Sequence, residues 1–116
     1  VVLDETVLRK KVGGAAVMGR QLERLSEAAR SPNVEIRVLP DAVGAHPAVT
    51  GEFTILHFPE PSAPGVVYIE NMTSNLYVEH EAEVFRHHLA LDRLRSLALG
   101  PEDSQARITA AADSIE

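Results

Sequence analysis

The sequence predicts an α+β fold in which a four- to five-stranded, mostly antiparallel sheet is packed with helices, in the order β-α-β-β-β-β-α-α. Three observations lead there. Apolar residues recur at helical spacing at 15–30 and again from 81 onward. Between those stretches lie four short runs rich in β-branched and aromatic residues. Glycine, proline, serine and asparagine clusters separate the runs, as turns require.

The apolar run at Val1–Leu3, followed by acids, reads as a strand whose partner comes later in the chain. Gly13-Gly14 breaks the backbone pattern ahead of a helix over 15–30. Met18, Leu22, Leu25 and Ala29 fall on one stripe of that helix, with Arg20, Glu23, Glu27 and Arg30 away from it. Ser31-Pro32-Asn33 ends it, because proline disfavours helical geometry in the preceding residue. "VEIRVLP" then alternates, with Val34, Ile36 and Val38 on one side and Glu35 and Arg37 on the other, as a half-buried strand does.

After a loop carrying Gly44, His46, Pro47 and Gly51, "FTILHF" predicts another strand, and the stretch from Pro59 to Gly65 is too rich in proline for regular structure. "VVYIENM" and "NLYVEH" flank Thr73-Ser74 as a hairpin. A helix over 81–99 carries one stripe of Val84, His87, Leu91, Leu94 and Ala98. It carries a second apolar sector of Ala82, Leu89, Ala90 and Leu97, interrupted by Arg86 and Arg93. A helix that is apolar on two sides touches two things. Pro101 with Glu102 and Asp103 starts a final helix whose buried face is Ile108, Ala111, Ala112 and Ile115.

A chain of 116 residues that is 45% hydrophobic can bury one modest core, so one globular domain is expected over 1–116. The absence of cysteine removes disulfides, thiolate metal sites and cysteine nucleophiles. No apolar run approaches the roughly 18 residues of a membrane span, so a soluble cytoplasmic domain without membrane contact is expected. The formal net charge is −6, and Arg9, Lys10 and Lys11 form the one tight basic cluster, which argues against this segment contacting DNA by itself. The opening "VVLDE" reads as mid-strand, and the chain is expected to be a fragment of a longer protein.

Candidate chemistry is sparse. His87 and His88 are neighbours on a helix and point about 100° apart, so they do not chelate together, and no metal site is expected. Glu83 and His87 are an i,i+4 pair of the kind common on helix surfaces. Glu70 and Glu79 each follow a tyrosine by two residues, so Tyr68 with Glu70, and Tyr77 with Glu79, share a strand face. Two such carboxylates could serve as acid and base, but a solvated sheet face is the simpler reading. The tyrosines suit an interface or a ligand rim, where the ring is buried and the hydroxyl finds a partner. No phosphate-binding loop, dinucleotide fingerprint or nucleophile elbow is present. No catalytic residues, no cofactor and no enzymatic activity are expected. His46 either supports its loop through hydrogen bonds to carbonyls, the favoured reading, or contacts a ligand or titrates near neutrality.

The segments "LDETVLRKKVGG", "PNVEIRVLP", "GAHPAVTGEFTILHFPEP", "VVYIEN", "LYVEH" and "LDRLRSLALGPEDS" occur in an order and spacing that resembles the C-terminal domain of actinobacterial helix-turn-helix regulators of the Xre type, a domain of unknown function with an antitoxin-like label. The likeness runs from about Leu3 to about Ile108 and rests on "RVLP…GAH…G.FT.L.F" together with "YIE". Matching positions are Glu5, Leu8, Leu39, Pro40, Gly44, His46, Phe53, Phe58, Tyr68, Glu70 and Tyr77. His57 and Gly100 depart from the pattern, so His57 is not expected to be a ligand.

The resemblance implies an N-terminal DNA-binding helix-turn-helix ahead of this domain, and a small acidic partner protein encoded nearby. DNA contact would then run only through that N-terminal part. The resulting expectation is a regulatory, partner-binding domain, with a homodimer as one option. Its binding candidates are His46, Tyr68, Glu70, Tyr77, Leu89, Arg93 and Leu97. The competing expectation is a small-molecule sensor with His46, Tyr68, Glu70 and Tyr77 around a pocket.

Overall fold

Apolar stripes at helical spacing need a surface to cover, and in the computed structural model the first and last helices find it beside a short pair of strands. The structure describes residues 1–47, 51–60 and 64–115; part of the expected loop around His46 and part of the proline-rich stretch, at 48–50 and 61–63, lie outside the described residues. The chain divides into two compact units, Val1–Gly44 with Leu97–Glu116, and Ala45–Ser96.

In the first unit, strand β1 (Val2–Asp4) is followed by a 3₁₀ turn at Glu5–Leu8, helix α1 (Ala15–Ala28), strand β2 (Arg37–Leu39), a second 3₁₀ turn at Asp41–Val43 and, from the far end of the chain, helix α3 (Pro101–Ser114). Gly13 must be glycine: its φ is +80°, and a Cβ there would come within 2.8 Å of Val17 Cγ1. The predicted stripes are buried as expected. Met18, Leu22, Ile36, Val38, Leu8 and Ile108 form the core, with Leu25, Ala29, Ala111, Ala112 and Ile115 packed against it.

β1 and β2 pair in parallel, Leu3 opposite Val38. This corrects the expected single, mostly antiparallel sheet: the described strands form a parallel pair and a separate three-stranded sheet. The cause is local. Parallel neighbours need a long crossover, and α1 supplies one. β2 covers only the last part of its alternating sequence, with Arg37–Leu39 paired to Val2–Asp4.

The open edge of β2 is closed by the chain leading into α3. The Leu99 N–H donates to the Val38 carbonyl at 2.8 Å, the Val38 N–H donates to Ser104 Oγ at 2.8 Å, and the Ser104 hydroxyl donates to the Leu99 carbonyl at 3.2 Å. Ser104 is fully buried, and this ring satisfies both its donor and its acceptor capacity. Beside it, Glu5 accepts the Asp41 N–H at 2.9 Å and a hydrogen bond from Arg107, while Arg9 pairs with Asp41 at 2.6 Å. The Asp41 amide and then the Arg107 guanidinium hold the Glu5 carboxyl below its ordinary pKa.

In the second unit, strands β3 (Thr54–Leu56), β4 (Val66–Glu70) and β5 (Asn75–Val78) form an antiparallel meander, followed by helix α2 (Glu81–Leu97). The predicted hairpin is present, with Tyr68 opposite Tyr77 and Glu70 opposite Asn75. Val67 and Val78 on one sheet face pack with Val84 of α2, supported by Phe53, Ile55 and Ile69. Gly65, at φ +93°, lets β4 begin against β3; a Cβ there would lie 2.8 Å from the Leu56 carbonyl oxygen. No helix among the described residues is long and apolar enough to cross a membrane.

Candidate functional site

The strand alternation that buries Val67, Ile69 and Val78 sends Tyr68, Glu70 and Tyr77 to the opposite face. Their rings meet, with centroids 5.1 Å apart and planes tilted by 51°. Tyr68 is half-buried and Tyr77 is 60% exposed. Desolvation, then the Glu70 carboxylate, raises the Tyr68 pKa, so its phenol stays protonated and able to donate. Thr54 stands opposite Tyr68 on β3, which completes a polar and aromatic row across the sheet.

The same register separates the two carboxylates weighed as an acid–base pair. Glu70 closes β4 opposite Asn75, whereas Glu79 follows β5 at the other end of the ladder. Four residues of strand put them about 13 Å apart along the ladder, beyond the spacing of either glycosidase geometry.

α2 has two different sides. Val84 and Leu94 are buried and His87 and Leu91 half-buried, as the first stripe predicts. On the opposite side Ala82, Phe85 and Leu89 are exposed at i, i+3 and i+7, with Phe85 at 61% and Leu89 at 52%. Arg86 and Arg93 are exposed on the same side. Of the predicted second sector, therefore, Leu89 and Arg93 stand open while Ala90 and Leu97 are half-buried. Phe85 belongs to the open stripe and was missing from the sequence reading, although its spacing from Ala82 and Leu89 is the helical signal that would have included it.

The histidines are occupied by packing. His87 Nδ1 donates to the Glu83 carbonyl at 2.8 Å, so the partner is the backbone and not the carboxylate expected from the i,i+4 spacing. Because a carbonyl only accepts, that bond places a proton on Nδ1. The His87 ring also meets Phe53 edge-on at 5.1 Å. His88 lies against His57, with centroids 5.0 Å apart. Among the described residues, no group of three or more His, Asp or Glu side chains is placed to share a metal ion.

Two open clefts flank α2 within this unit. One, of about 260 Å³, is lined by Phe53, Ile69, Arg86, His87 and Ala90 together with Glu52. The other, of about 590 Å³, is lined by His80, Val84, Phe85 and His88 with Pro64. Neither is lined by Tyr68, Glu70, Tyr77 or His46; His46 is half-buried just ahead of Pro47, which borders the smaller cleft. The structure thus brings the two tyrosines and Glu70 together on an open face, and keeps them apart from the concave surfaces.

No curated protein and no solved structure matches this chain. The family model described as Domain of unknown function (DUF5753) matches residues 1–110. That match takes in both units and nearly every residue named above, and the chain therefore belongs to the DUF5753 family, a domain of unknown function.

Proposed function

We propose that this chain is the regulatory, partner-binding domain of an antitoxin-like helix-turn-helix transcription regulator. It binds a small acidic protein through the open side of α2. The observation that carries the reading is the Ala82–Phe85–Leu89 stripe: two large apolar side chains more than half exposed on one helix, beside Arg86 and Arg93. An apolar strip edged by guanidinium groups suits an acidic partner, because the apolar centre supplies affinity and the charges steer approach. The resemblance to actinobacterial Xre-type regulators supports the regulator context and a cytoplasmic location, with DNA contact left to an N-terminal helix-turn-helix ahead of this domain.

The test is light-scattering mass after size exclusion, for the domain alone and mixed with the small acidic protein encoded beside it. A mixed complex is expected, and Leu89→Asp and Phe85→Asp should each abolish it while leaving the far-ultraviolet circular dichroism unchanged. Two separate species for the unmodified proteins would remove the reading. The alternative, small-molecule sensing, is favoured only by the cleft of about 590 Å³, a volume that suits a small ligand. Phe85→Ala would then weaken ligand binding and leave any protein complex intact.

A further inference from the structure

We propose that two copies of this chain associate edge to edge through β5, joining two three-stranded sheets into one across a twofold axis at Tyr77. This surface is separate from the α2 stripe and does not depend on the partner reading. β5 is an outer strand of its sheet, and its only ladder among the described residues is with β4. The Asn71 N–H donates to the Ser74 carbonyl at 2.8 Å, which sets the phase of the hairpin's hydrogen bonds. Antiparallel pairs alternate, so Ile69 with Leu76 and Val67 with Val78 exchange bonds. The N–H and C=O groups of Asn75 and Tyr77 consequently point away from β4, toward the free edge.

Apart from its short length, that edge carries none of the usual blocks to pairing. Asn75–Val78 contains no charge, no proline and no bulge, and its register with β4 is unbroken. Leu76 is 52% exposed and Tyr77 60%, so both faces of the strand are open at these two positions, while Val78 at its end is buried against Val84 of α2.

The sequence around Tyr77 favours a second copy as the occupant. With Tyr77 opposite the same residue of the other copy, each Leu76 meets a Val78, and each Glu79 meets an Asn75 in place of another acid. Like charges therefore never stand opposite one another, although the chain carries a formal charge of −6. On one face the Leu76–Val78 contacts continue the apolar side of the sheet. On the other, the Tyr68–Tyr77 ring pair becomes a row of four tyrosines across the axis.

A short-edge contact of this kind buries little area, so association in the micromolar range is expected. Light scattering over a concentration series of this 116-residue chain should rise from 12.6 kDa toward twice that mass. Tyr77→Lys and Tyr77→Glu should each remain at the single-chain mass, because each places like charges face to face. An equimolar mixture of the two should recover the doubled mass, which also demonstrates that both variants fold. Leu89→Asp should leave self-association unchanged, and this separates the present surface from the partner-binding one. A single-chain mass for the unmodified protein at every concentration, a doubled mass that both Tyr77 variants retain, or a mixture that stays single would each overturn the proposal.

Discussion

Ser104 is the residue whose removal should cost the first unit most for its size. Its hydroxyl is the acceptor for the buried Val38 N–H, so Ser104→Ala strands that donor and should lower stability by about 1–3 kcal/mol, read from the denaturant midpoint. Glu5 acts through charge. Because its folded pKa is lowered by the Asp41 amide and Arg107, its contribution is complete above the unfolded carboxylate value and is lost as pH falls through the folded one. Its side chain is 15% exposed but Arg107 is 43% exposed, so solvent screens the pair. Glu5→Gln should therefore lower stability modestly at neutral pH and match the unmodified chain in acid, flattening the acid side of the stability–pH curve, as urea melts at a series of pH values would record. Neither role was legible in the sequence. Ser104 looks like any polar residue in a helix's first turn, and Glu5 stood out only through the family resemblance. What makes them important is contact with residues 66 and 102 positions away.

At the level of elements, periodic helices were the legible part. Met18, Leu22 and Leu25 in α1, Ala29 at its C-cap, and Ile108, Ala111 and Ala112 in α3, are buried or packed against the core as their spacing requires. The hairpin was legible too, since Thr73-Ser74 parts two β-rich runs. Strand pairing was not. Alternation in "VEIRVLP" shows a half-buried strand but says nothing of which neighbour it chooses, and β2 chose β1 through the α1 crossover over the nearer β3. The start of β4 gives a local test. Gly65→Ala places a Cβ against the Leu56 carbonyl at a φ that L side chains rarely adopt, and should destabilise the chain by about 1–3 kcal/mol, detectable as a lowered Tm. On α2, by contrast, Leu89→Asp alters an exposed position and should change stability by no more than about 0.5 kcal/mol. The open α2 stripe was only half legible: the sequence showed a second apolar sector, but burial by neighbours decided that Phe85 and Leu89 stay open while Ala90 and Leu97 do not.

For the whole molecule, the acidic balance sets colloidal behaviour. The sequence pI is about 5.3, and lowering the pH toward that value removes the net negative charge that keeps copies apart. Light scattering should therefore rise as pH approaches the pI, and less so for Tyr77→Lys than for the unmodified chain if the uncharged β5 edge is the contact. The tyrosine face was partly legible, since the predicted hairpin sets Tyr68, Glu70 and Tyr77 on one side of the sheet, but its separation from both clefts was not, because that follows from α2 packing on the other side. The hydrogen-bonded ring of Val38, Leu99 and Ser104 has a further consequence for biosynthesis. β1, α1 and β2 leave the ribosome well before α3 exists, and at about 5–20 residues per second residues 45–96 impose a delay of roughly 3–10 s. Through that interval the Val38 N–H and C=O face water on an unsealed strand edge, and the nascent first unit depends on chaperones or speed until its own far end arrives to close it.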